Sequence, residues 1–331
     1  MADFNGIGRD FIKEGIFERF PELIPFVGEN YSNTNHSRLL LICESNYFTD
    51  EMELKSKSVF KDAEKWYFGE DCTLIPEEKR RDVNNDGKIT YLKGLFRTTQ
   101  KLLNTNEYDD AAFYNYFLRP ASEKNKKGKS DLGFHKDYTE LDGEVAFVAF
   151  CEILKSLQPN IVIFASTLAW EKMEFFKKKY NKNFGKITIE KVSHPSSRWW
   201  NRYNGAYGRQ LFENLLIKHW IKKFQKLQTI HSELRQKFLV EKDQECFFDE
   251  NGNYLSCLNF KVEDYSFWCQ TGVKINGEDF WTCFYRDKDS KEIPALNGKG
   301  DKLTQDLSNE SIIEKIEKLI NQIIEEIKET A

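Results

Sequence analysis

The sequence predicts an α/β fold, a three-layer sandwich on a short, mostly parallel sheet over residues 1–226, followed by an α+β module over 227–331. Three observations carry this expectation. From about residue 36 to 225, short apolar runs bounded by polar residues alternate with stretches of helical spacing. The runs are continuous rather than alternating, as in strands buried on both faces. Past residue 226 the pattern changes to consecutive strands joined by turns, then one terminal helix.

Taken in order, RLLLIC (38–43) reads as a buried strand. Helical spacing covers 51–68 and 91–104, where Leu92, Leu95, Phe96, Leu102 and Leu103 share one apolar face. AAFYNYFL (111–118) is aromatic-rich and suits a strand. VAFVAFCEILKSL (145–157) is spaced as a helix that Gln158-Pro159 ends. NIVIFAS (160–166) reads as a second buried strand, and the helix TLAWEKMEFFKKKY follows with Thr167 near its cap. KITIEKV (186–192) alternates and supplies a third strand, HPSSRWWNR forms a loop, and a helix is expected from Arg209 to Lys226. In such folds ligands bind at the carboxyl ends of the strands, where CESNYF, NYFLRP and HPSS are expected to lie.

In the second module IHSELRQKFLVEK continues as helix, and strands follow with turns at 250–253 and at Asn276-Gly277. The tail sets Ile312, Ile316, Leu319, Ile323 and Ile327 on one face, expected to pack on the adjacent sheet. Self-association through this helix, or a protein partner taken up by the module, is the alternative.

Composition narrows the class. Hydrophobic residues make up 40% and charged residues 31% of the 331, enough for a sizeable core and against long disorder. No apolar run approaches the ~20 residues of a membrane span, and the first residues show no apolar leader. The 7 cysteines include no CxxC pair, so neither a zinc knuckle nor a disulfide framework is expected. A cytoplasmic protein with no membrane partner, no metal and no cofactor is the expectation. Net charge is only -4, yet Lys172–Lys226 holds 14 Lys/Arg against 3 Glu, a local net of +11. Such a belt suits a polyanion surface; a set of solvated helix faces is the competing reading.

Several short motifs bear on chemistry. DVNNDGKITYLK (82–93) follows the calcium-loop pattern until its twelfth position, where Lys93 replaces the bidentate Glu, so a polar turn before a helix is preferred. Glu44 follows a buried strand and offers a carboxylate to orient water or balance a developing positive charge. Asn115 offers an amide that donates and accepts at once, as a pyrimidine edge requires, and Arg119-Pro120 beyond it suits a phosphate or a loop closure. His194, held by Pro195, can present a proton to a developing anion. Trp199 and Trp200 beside Arg198 and Arg202 combine stacking area with phosphate-pairing charge. Core aromatics and a satisfied loop histidine are the competing reading of that segment.

Taken in this order, LLLICESNYF, FYNYFLRP, LKSLQPNIVIFASTLAWEKM and VSHPSS resemble the motifs of the uracil-DNA glycosylase superfamily, over about residues 36–225. Glu44 stands where the iron–sulfur branch of that family places a Glu, Ser45 where the best-known branch has its water-activating Asp, and Asn46 where Pro or Gly is usual. The four cluster cysteines of the iron–sulfur branch are missing. The resemblance implies hydrolysis of the N-glycosidic bond of a flipped uracil or damaged base in DNA. It assigns catalysis to Glu44 and His194, and the base to Asn115, Phe48 and Ser45. DNA contacts fall to Ser196, Arg198, Trp199, Trp200 and Arg202, with a tryptophan as wedge. The alternative is a catalytically inactive module of the same fold that binds nucleic acid, a nucleotide or a protein.

Overall fold

Two continuous apolar runs, Leu39–Cys43 and Ile161–Phe164, form the centre of a sheet in which every one of these side chains is buried. The computed structural model describes residues 17, 23–47, 62–68, 90–103, 109–121, 138–195, 197–198, 200–201, 208–249, 253–262, 264–274, 280–287, 296, 300–303 and 308–330. The chain divides into two compact units, Met1–Lys101 with Thr105–Trp220, and Leu102–Asn104 with Ile221–Ala331.

In the first unit the elements run β1 (Phe26–Val27), β2 (Leu39–Tyr47), α1 (Ala63–Phe68), α2 (Thr90–Leu103), β3 (Ala112–Ala121), α3 (Glu140–Leu157), β4 (Ile161–Phe164), α4 (Thr167–Lys179), β5 (Thr188–Lys191) and α5 (Gly208–His219). The sheet order is β1-β3-β2-β4-β5, parallel except for the short edge strand β1, which the sequence did not reveal. Leu40, Ile42, Val162 and Phe164 face α1, α3 and α4 in one aromatic-rich core. Leu41, Cys43 and Ile163 alternate to the opposite face and are buried as well. The sheet is therefore covered on both sides, compatible with a three-layer α/β fold.

Local chemistry fixes the ends of these helices. Thr139 caps α3 in a capping box with Asp142, so that helix starts before the expected position 145. Gln158 closes it in the left-handed conformation (φ 45°). Asp142 also takes both arms of Arg119 on β3, at 2.7 Å each, and Tyr67 of α1 donates to it at 3.1 Å. All three residues are buried, which pins α1 and α3 to the sheet. The expectation that Arg119 holds a phosphate is corrected, because its guanidinium is spent on Asp142.

The second unit comprises α6 (Lys222–Lys237), β6 (Val240–Phe248), β7 (Asn253–Val262), β8 (Tyr265–Lys274), β9 (Phe280–Arg286), β10 (Gly300–Leu303) and α7 (Asn309–Thr330). Its five strands form an antiparallel meander in sequence order. The helix expected from Arg209 to Lys226 is two helices, broken at Trp220-Ile221, and the unit boundary falls at that break rather than at 226. α6 packs on the sheet, with Phe224 against Tyr254 and Phe248 at ring distances of 4.8 and 5.4 Å. α7 pairs with α6, where Lys237 meets Glu317. Ile312, Ile316, Ile323 and Ile327 are buried as expected, but Ile320 takes the place foreseen for Leu319, which is only half-buried. Among the described residues, no helix is long and apolar enough to cross a membrane.

Candidate functional site

A sheet of order β3-β2-β4-β5 reverses direction between β2 and β4, and a crevice opens outside the carboxyl ends of the strands at such a reversal. β4 pairs with β2 only as far as Phe164 opposite Ile42. Glu44, two residues further along β2, therefore stands past the stretch paired with β4, while β2 still pairs with β3 on its other side. The chain leaving β4 turns into α4 at Ser166, which caps the helix by accepting from the Ala169 N–H at 3.2 Å. The same hydroxyl donates to Glu44 Oε2 at 2.9 Å. A carboxylate is thereby fixed at the positive end of α4.

His194 follows β5, whose pairing ends where the Val192 N–H meets the Phe164 carbonyl at 2.8 Å. The His194 carbonyl accepts from the Ser197 N–H at 2.8 Å. Burial pushes the His194 imidazole below its ordinary range, and the nearby charge of Glu44 works against that shift. Burial thus favours the uncharged ring, which has one N–H to donate and one nitrogen to accept. Glu44 and His194 thus interact electrostatically at the crevice, although 150 positions separate them in sequence.

Asn115 is placed differently from its expectation. It lies within β3, directly opposite Cys43, and the strand runs on to Ala121. Neighbouring residues of a strand alternate faces, so Asn115 shares the face of Cys43 and Glu44 takes the other. Ser45, opposite Phe117, is buried. The polar residue in an aromatic run read as a strand end because the run from Tyr116 to Ala121 carries Arg119 and Pro120. Among the described residues β1 pairs with β3 only at Ala112 and Phe113, and Pro120 falls beyond that pairing, where no N–H to β1 is needed.

Of the residues expected to touch DNA, Arg198 is exposed, whereas Trp200 is buried with its ring 6.0 Å from Phe212. Its expected role as a wedge is corrected: it is a core aromatic that anchors the loop to α5. Phe48, Ser196, Trp199 and Arg202 lie outside the described residues, as does most of the calcium-like segment 82–93. The basic belt is interrupted too. Lys177 pairs with Glu174 at 2.9 Å, Lys179 with Glu140 at 3.0 Å, and Lys222, Lys223 and Lys226 belong to the second unit. Lys178, Lys182, Lys186 and Lys191 remain exposed on the first.

Sequence reading missed Ser166 as a site residue, although a serine between a buried strand and a helix is the usual N-cap signal. It also missed an array in the second unit, where Ser256 Oγ lies 2.6 Å from His231 Nδ1 and Asp243 Oδ2 lies 3.8 Å from His231 Nε2. Ser256 is only 3% exposed beneath α6, so no substrate reaches it as a nucleophile and the array serves packing. Comparison with protein-family models gives no match, and comparison with curated proteins gives none either.

Proposed function

We propose that the first unit is a uracil-DNA glycosylase-like domain that hydrolyses the N-glycosidic bond of a base extruded from DNA. The observation that carries this reading is Glu44, held by the Ser166 hydroxyl at the strand-order reversal, with its charge close enough to act on the largely buried His194 imidazole. As the bond stretches, the sugar gains positive charge and the leaving base gains negative charge. Glu44, held by Ser166, balances the first or directs water to it. His194, uncharged before the reaction, donates a hydrogen bond to the base as its charge develops. One preorganised donor of this kind lowers the barrier by about 2.7–4 kcal/mol. Arg198 and the exposed lysines of α4 and β5 offer partners for the phosphates.

A second reading, a cleft of this fold that binds nucleic acid without cleaving it, is favoured by the register, which pairs Asn115 with Cys43 and so sets it on the strand face opposite Glu44. One experiment decides between them. Oligonucleotides containing uracil, single-stranded and duplex, are incubated with the protein and treated with alkali to reveal abasic sites. Base excision predicts strand scission that falls a hundred- to thousandfold in Glu44→Gln and in His194→Ala. Binding without scission, unchanged by Glu44→Gln, overturns excision and leaves the second reading.

A further inference from the structure

The meander of the second unit has two unlike faces. One carries Tyr254, Leu258, Phe260, Phe267, Val273 and Phe280, all buried, and receives α6. The other carries Trp268 of β8, Trp281 and Tyr285 of β9, and Lys242, Lys261 and Lys274 around them. The three lysines are exposed and Tyr285 is 41% exposed, while both tryptophans are half-buried.

Two of the rings lie near-parallel across the strands, with centroids 6.5 Å apart. Trp268 and Tyr285 are direct cross-strand partners, and their planes lie within 15° of parallel. Trp281 lies across Gly272, where a Cβ would meet its ring at 2.7 Å, so glycine lets the indole rest flat on the sheet. Trp281 and Tyr285 are four residues apart on one strand, about 14 Å at strand rise, which leaves room for separate bases. Among the described residues Lys261 pairs with Glu241 at 3.8 Å, an exposed pair that salt screens and a phosphate can replace.

We propose that this face binds single-stranded nucleic acid, with bases stacked on Trp268, Trp281 and Tyr285 and phosphates held by Lys242, Lys261 and Lys274. Flat rings accept the face of an unpaired base, which a duplex does not offer. A protein partner is disfavoured because lysines are depleted at protein interface cores, and here they frame the aromatic row. The inference is independent of the catalytic reading, since it rests on the other unit.

The test is fluorescence anisotropy of the full-length protein with a labelled, uracil-free oligothymidine of about 20 nucleotides, longer than one stacking site. The expected result is a dissociation constant raised about tenfold by Trp268→Ala and by Tyr285→Ala, with Trp268→Phe close to wild type. Replacing the three lysines by alanine should flatten the slope of log K against log salt by about 2. Far-UV circular dichroism establishes that each variant is folded, and the exposed Tyr285 gives a reading even if a tryptophan variant is not. Absence of single-strand binding, equal preference for duplex, or affinity unchanged by all these substitutions overturns the proposal.

Discussion

Ser166 joins a helix cap to a candidate catalytic acid: its oxygen accepts from the Ala169 N–H at 3.2 Å and its proton goes to Glu44 Oε2 at 2.9 Å. One hydroxyl thus serves the fold and the site together. Ser166→Ala should cost about 1 kcal/mol of stability, the worth of a lost cap, as read from urea midpoints. It should also lower the excision rate. Ser166→Asp keeps a capping oxygen but sets a second carboxyl beside Glu44. It should therefore hold most of the stability while losing the activity. Wild-type activity in either variant contradicts the joint role.

The buried pair Arg119–Asp142 makes a contrasting prediction. Arg119→Met strands a carboxylate among α1, α3 and β3, at a cost of about 3–5 kcal/mol. Adding Asp142→Leu should recover part of this, because two apolar groups replace two buried charges. The recovery is incomplete, since Asp142 also closes the capping box of α3. Chemical denaturation of the two variants measures both effects, and a silent Arg119→Met removes the argument.

Trp200 and Arg198 separate packing from binding within one loop. Trp200→Ala should cost about 3–5 kcal/mol, as for other buried aromatics. Arg198→Ala should leave stability within about 0.5 kcal/mol and weaken DNA binding instead. Reversal of the two effects in urea unfolding and anisotropy would return Trp200 to the surface.

His194 gives stability a pH dependence of known sign. Its folded pKa is lowered by burial, so the unfolded chain binds the proton more readily. The stabilisation from keeping the ring neutral is present above the unfolded value near 6.5 and is lost as pH falls through the folded one. His194→Gln should flatten this acid-side decline, measured as urea midpoints at pH 7.5 and 5.5. An unaltered decline places its origin elsewhere.

How much of this was legible in the sequence depends on the range of the forces involved. β2 and β4 were plain because strands buried on both faces must be continuously apolar. The break at Trp220-Ile221 was hidden because both residues are apolar and Ile221 caps α6 without a side-chain hydrogen bond. Arg119 could not be recognised as internal, since its partner Asp142 sits on a helix whose own start was misjudged. The positions of Glu44, just past the apolar run of β2, and of His194, just after β5, were legible from the runs that precede them. The bond from Ser166 to Glu44 spans 122 residues and required the strand order. The face taken by Asn115 depended on pairing register, which no motif encodes.

The claim that one acid and one imidazole share a single site is tested most directly by NMR titration of His194 in the wild type and in Glu44→Gln. Glu44's charge raises the His194 pKa against the larger effect of burial. Its removal should lower the midpoint further below 6.5 while the other histidines keep theirs. A His194 midpoint that does not move on losing the Glu44 charge contradicts the shared site.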